Sequence, residues 1–285
     1  MHPRVKSFLL FLLFAVLSNV FAAALSWLFL DKLHVMDSND PSWRPAAFMW
    51  VESISAVAAL IATWIVARID RRPVSSLGYS RANALKQFAM GSLFGLTAVV
   101  VLVGAIAALG GFTLGGVSGA RFAIPWLIAF LLVGVAEEME FRAAGLLTLV
   151  DAIGFWPAAI ALSILFAALH YFLKPMENIA DALSVGLLGL FLCVTVMRTG
   201  AIWFAIGFHA LFNYAAMFVF GAPNSGNNGR PVATKLLSGG YHGPAWLTGG
   251  PLGVEASWLV FPVIALLFLV FTLLRYNPPH SVAKN

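Results

Sequence analysis

Long apolar runs alternate with short polar connections along the chain, and the runs exceed what a water-soluble core needs. A bilayer-spanning helix takes about 20 mostly apolar residues. About eight segments meet that length, roughly Phe8–Leu30, Ala46–Ala67, Leu85–Leu109, Ile124–Val150, Trp156–Leu173, Ile179–Met197, Ala201–Phe220 and Ser257–Arg275. None carries a polar stripe over its full length, so none reads as the surface helix of a soluble domain. No short fixed repeat interrupts the pattern. It predicts an all-α fold: a polytopic membrane helix bundle of about eight transmembrane helices, with residues 1–285 as a single membrane domain.

Composition agrees. Of 285 residues, 61% are hydrophobic and 10% charged, against about 25% charged in soluble domains. A water-soluble chain of this length lacks the polar surface to cover so much apolar area. The net charge of +5 does not make the chain a nucleic-acid binder, because the basic residues sit between apolar segments and not on one stripe. With eight spans, Arg4, Lys6, Arg68, Arg71, Arg72, Arg81, Lys86, Arg198, Arg275 and Lys284 fall on one side. Lys32, Arg44, Arg121, Lys174, Arg230 and Lys235 fall on the other, with Asp31, Asp37 and Asp40. Ten positives against six put both termini in the cytoplasm. The compact length and short loops suit a bacterial inner (plasma) membrane.

The first apolar run has a second reading. His2-Pro3-Arg4-Val5-Lys6 and the small residues Ala22-Ala23-Ala24 resemble a cleaved secretory signal. The run of about 24 residues exceeds a signal's core of about 7–15, which favours a retained helix. Cys193 is the one cysteine, so neither an intrachain disulfide nor a cysteine zinc cluster can form; it reads as a small core hydrophobe. Two connections stand out. Gly110–Gly119 is glycine-rich and reads as mobile. Gly221–Gly253 is long and rich in Gly, Pro and Asn, a lid or an outer plug. Gly91-Ser-Leu-Phe-Gly95 fits a small-xxx-small helix contact, a pattern common by chance.

The fourth span holds residues that do not belong in lipid. Glu137, Glu138, Glu140 and Arg142 interrupt an otherwise apolar helix. At about 2.5–3.5 kcal/mol each, four unpaired charges would penalise insertion by roughly 10 kcal/mol. Glu138 and Arg142 are i and i+4, acid first, the favourable order for an ion pair. A buried pair seldom adds net stability, so its use is to fix geometry. Glu137 lies about 100° around the helix from Glu138 and projects elsewhere. Glu140, one turn on, shares its cavity or points to a polar edge. His170 ends the fifth span, and His209 and Asn213 share one face of the seventh at i, i+4. Intramembrane ionisable groups face a bundle interior or a wet cavity. Each could be bland alone: a structural histidine, an asparagine joining helices, a scaffold pair. Together they predict one functional chamber. His2, His34, His242 and His280 read as solvated, and Glu52 and Asp181 as edge residues.

On these residues the chain resembles the CPBP family of intramembrane proteases, the CAAX protease and bacteriocin-processing enzymes also called the Abi family. That family's signature is E-E-x-x-x-R, F-x-x-x-H and H-x-x-x-N on three separate membrane helices. Here the three are Glu137-Glu138-Met-Glu-Phe-Arg142, Phe166-Ala-Ala-Leu-His170 and His209-Ala-Leu-Phe-Asn213. The likeness covers about Ile124–Phe220, which marks residues 124–220 as the catalytic core, with a weaker likeness near Leu77-Gly78-Tyr79. Glu140 departs from the family's usual apolar residue, and Ala143 from a frequent glycine.

The resemblance implies peptide-bond hydrolysis within the membrane, on a membrane-embedded or lipidated peptide. The expected site is Glu137, Glu138, Arg142, His170, His209 and Asn213. Glu137 takes a proton from water, His170 helps to hold that water, and His209 and Asn213 donate to the oxyanion. Glu138 and Arg142 lock the helix. Family members are often labelled metalloproteases, and Glu137, His170 and His209 are the set that would hold a zinc ion. No H-E-x-x-H helix is present, and the residues lean toward a metal-free glutamate site. Two other classes stay open: a proton-coupled membrane transporter, which predicts broken helices and internal repeats, and a non-catalytic membrane scaffold. The expected partners are membrane lipids and the peptide substrate.

Overall fold

Residues 2–35 and 43–274 are described by the structure, a computed structural model. The loop and terminal residues Asp37, Asp40, Arg275, His280 and Lys284 lie outside the described residues.

The protein is a helical membrane bundle. Its helices are α1 (Pro3–Ser26, running on through a π-turn at Trp27–Lys32), α2 (Pro45–Asp70), α3 (Ala84–Ala108), α4 (Ala123–Phe141) and α5 (Ala144–Ile153). They continue with α6 (Phe155–Leu173), α7 (Ile179–Thr199), α8 (Trp203–Asn213, extended by a π-helix at Tyr214–Val219), the single turn α9 (Ala245–Thr248) and α10 (Val260–Leu273). Local chemistry sets several ends. Proline opens α1 and α2, where its missing N–H costs nothing. Asn178 Oδ1 accepts the Asp181 N–H at 2.9 Å, satisfying one open donor at the start of α7. Gly200, at φ +76°, stops α7 in the left-handed conformation.

Among the described residues six helical segments are long and apolar enough to cross a bilayer. Two of the expected spans are shorter, at Trp203–Val219 and Val260–Leu273. The expected fourth span, Ile124–Val150, is two helices instead of one. Helix α4 ends at Phe141, Ala143 leaves helical backbone at φ −90°, ψ −114°, and α5 begins at Ala144. Gly145 permits the turn. A Cβ there would stand 2.8 Å from the Glu140 carbonyl oxygen and 3.3 Å from the Phe14 ring of α1.

Close helix crossings place the central helix. Gly91 and Gly95 of α3 lie against the carbonyls of Phe204 and Phe208 in α8, and Gly207 lies against the Phe88 carbonyl. Any side chain at these positions would collide with backbone. The small-xxx-small pattern at 91–95 is therefore a packing seam. On its other side α8 meets α4, where a Cβ on Gly134 would be 3.0 Å from the Ile206 carbonyl oxygen. Phe191, Phe204, Phe208 and Phe271 pack edge to face beside this seam.

The two glycine-rich connections pair with each other. Strand β1 (Phe112–Thr113) is antiparallel to β2 (Gly240–Tyr241), and the Ser118 N–H donates to the Leu236 carbonyl at 2.8 Å. The Trp43 indole donates to the Gly226 carbonyl at 3.1 Å, and the Trp126 indole to Thr234 Oγ1 at 2.8 Å. The long segment after α8 is thus fastened over one end of the bundle.

Candidate active site

Three helices bring the sequence-predicted residues together. Helix α4 supplies Glu137, Glu138 and Arg142 at its C-terminal end, α6 supplies His170, and α8 supplies His209 and Asn213. The two tandem acids have opposite environments. The Glu138 side chain is 0% exposed, and that of Glu137 is 28% exposed.

Glu138 sits in a closed polar layer. Its Oε1 accepts from Arg142 Nη1 at 3.2 Å, the expected i, i+4 pair, and from His209 Nδ1 at 2.8 Å. The Arg142 guanidinium is 1% exposed and lies over the Phe166 ring, 4.3 Å from its centroid. Cation–π attraction offsets part of its desolvation. Glycine at 189 makes room for it, since a Cβ there would be 2.9 Å from Arg142 Nη2. Glu138 Oε2 and Arg142 Nε have no protein partner.

One helical step away the surroundings open. Glu137, His170, His209 and Asn213 all line one cavity of about 80 Å³, room for a few waters. His209 lies between the acids, with Nδ1 on Glu138 and Nε2 at 3.7 Å from Glu137 Oε2. His170 donates from Nδ1 to the Phe166 carbonyl at 2.9 Å, and its ring packs on the Phe166 ring at 4.4 Å. That bond fixes the tautomer and leaves Nε2 as an acceptor. Asn213 is the last residue of α8 before the π-helix, a distortion often found at functional sites.

Among the described residues no group of three or more His, Cys, Asp or Glu side chains is arranged to hold a metal ion. His209 holds Glu138 through Nδ1, and His170 holds a backbone carbonyl through its own Nδ1, outer contacts that metal-bound histidines also make.

The cavity also contains residues that sequence reasoning missed. Lys174, Asn224 and Glu255 line it. Lys174 is one turn beyond His170 and could have been found from that spacing. Asn224 and Glu255 come from the long segment after α8 and carry no local signal. Burial pushes the Glu255 carboxyl above the usual range, with Lys174 opposing that effect. The segment is tied to α7 by Ser184 Oγ, which donates to the Glu255 carbonyl at 2.6 Å, and to Glu177 by Ser225 Oγ. Asp181, in the first turn of α7, is 4% exposed and beside Glu177: it stands at the edge of its span and is buried there.

Comparison with known proteins adds one finding at this point. Residues 119–215 are similar to the family described as type II CAAX prenyl endopeptidase, Rce1-like. The match covers about a third of the chain and contains all three motifs. No curated protein and no solved structure matches the chain.

Proposed function

We propose that this membrane protein is an intramembrane endopeptidase, with Glu137 as the base that activates water. The observation that carries the reading is the convergence of Glu137, His170, His209 and Asn213 from three helices on one small cavity. The family likeness over the same residues agrees.

Water is a poor nucleophile and needs a base within hydrogen-bond reach. Glu137 takes the proton from a water held in the cavity, while His170 Nε2 accepts a hydrogen bond from that water and orients it. Attack on the scissile carbonyl places negative charge on its oxygen. The Asn213 amide and His209 Nε2, when protonated, donate to that oxygen. Glu137 then returns the proton to the leaving amine. Glu138 and Arg142 take no part in proton transfer: they hold His209 and the end of α4 in register.

The substrate reaches the cavity from the bilayer in this reading. An apolar groove of about 430 Å³ runs between α6 and α7, lined among others by Ser163, Ala167 and Gly186. The same two helices wall the cavity through His170 and Gly189. A membrane-embedded or lipidated peptide fits that approach.

Substrate trapping tests the function. Glu137→Gln protein, purified after exposure to membrane peptides, should retain peptides that the wild-type protein cuts at a defined bond, as read by mass spectrometry. Retained peptides that wild-type protein leaves whole would contradict the proposal. The interruption between α4 and α5 is a feature a proton-coupled carrier would share. Proton flux in vesicles that depends on Glu137, with no cleavage of any peptide, would favour that second reading.

A further inference from the structure

A second pocket shares no lining residue with the cavity of the candidate site. Its volume is about 740 Å³, within the range of about 300–1,000 Å³ common to ligand pockets. The start of α2, the start of α4 and residues 227–234 of the long segment after α8 wall it. Both helices begin there, at Pro45 and Ala123, so the pocket stands where apolar spans give way to polar chain. Trp43 lines it at that level, where indole rings concentrate in membrane proteins. Its lining is of two kinds. Ala46 and Met49 of α2, with Phe122 and Pro125 at the start of α4, are apolar. Arg44 and Arg230 bring two guanidinium groups, and none of the lining residues is acidic. Arg121 adds a third cation close by, its guanidinium 4.7 Å from the centroid of the Phe122 ring. Arg230 is presented by a fixed turn. The Asn227 amide donates to the Arg230 and Pro231 carbonyls at 3.0 and 3.2 Å, and the Trp43 indole holds the Gly226 carbonyl. Among the described residues the Arg230 guanidinium makes no ion pair.

We propose that this pocket binds an anionic phospholipid from the bilayer. Arg44 and Arg230 take the phosphate, for which the planar, forked guanidinium is suited. An acyl chain lies along the apolar wall. Basic pockets between membrane helices recognise anionic head groups in this way. A free phosphate would leave the apolar wall uncovered, and a lipid without net charge would leave Arg230 without a counter-charge. The groove between α6 and α7 is the contrast: no cation lines it, so it cannot select a lipid by charge. The turn that presents Arg230 also carries Asn224, which lines the cavity of the candidate site. A lipid in the pocket therefore braces that turn against α2 and α4 without touching the site. The proposal stands whether or not the chain cuts peptides.

Native mass spectrometry of the protein in mild detergent, titrated with phosphatidylglycerol, tests it. Wild-type protein should retain phosphatidylglycerol at concentrations where phosphatidylcholine is lost. Arg230→Gln should weaken that binding about tenfold or more, the worth of one charged hydrogen-bonding contact. Arg44→Gln reads the same pocket should the Arg230 variant not fold. Arg81→Gln removes an exposed charge from the connection after α2, at the other end of that helix, and should bind like wild type. Unfolding curves give a second readout: phosphatidylglycerol should raise the wild-type midpoint more than that of Arg230→Gln, and inorganic phosphate should raise neither. Unchanged phosphatidylglycerol binding by a folded pocket variant would overturn the proposal, as would an equal loss in Arg81→Gln or equal retention of phosphatidylcholine. A midpoint raised as far by inorganic phosphate would overturn it too, marking a site for a soluble anion and not for a lipid.

Discussion

Two regions meet at the end of α4, a closed polar layer and an open chamber, and adjacent glutamates belong to different ones. Around Glu138 the layer is dry: Arg142 and His209 hold one of its oxygens, Phe166 covers the guanidinium, and Gly189 leaves space for it. Around Glu137 the chamber is open, with His170, Asn213 and His209 lining a cavity. The chemistry of the two side chains is identical. What separates them is whether a cation on the same helix face can reach. At i+4 from Glu138 there is Arg142; at i+4 from Glu137 there is Phe141. In the proposed mechanism the first acid serves structure and the second reacts, with His209 joining the two regions.

Substitutions should split along that boundary. The largest effect belongs to the closed layer. Arg142→Leu leaves Glu138 buried beside His209 without its cation and should cost about 3–5 kcal/mol of stability, read from unfolding in mild detergent. Replacing Glu138 and Arg142 together by apolar residues should cost less than the single change. In the chamber, Asn213→Ala should lower cleavage by about 10²–10³-fold, the effect of losing one oxyanion donor, while the unfolding midpoint stays at the wild-type value. A comparable fall in both readouts would erase the distinction between the regions. A smaller effect is expected of Gly189→Ala, which presses a methyl group on the guanidinium and should destabilise by about 1–3 kcal/mol. Its activity loss should track the loss of folded protein.

The chain's fold class could be read from its apolar runs alone, and the residues of the candidate site from helical spacing. Glu138 with Arg142, Phe166 with His170 and His209 with Asn213 are each four residues apart, and such spacing fixes a shared face before any tertiary contact is known. The break after Phe141 was not legible, because Ala143–Val150 continues the apolar run and only Gly145 hints at the turn. The seam at Gly91 and Gly95 was visible as a pattern but not as a contact, since its partner carbonyls on α8 come from far along the chain. Asn224 and Glu255 share that limitation. Their neighbours are on other elements, and no periodicity links the segment between α8 and α10 to a glutamate on α4.

The most direct test is cleavage by Glu137→Gln protein whose unfolding curve overlays that of wild type. The account predicts a fall in turnover of at least about 10²–10⁴-fold, the usual contribution of a positioned base, with the closed layer undisturbed. Near-wild-type turnover by that folded protein would contradict it, because Glu137 would then have no part in the chemistry.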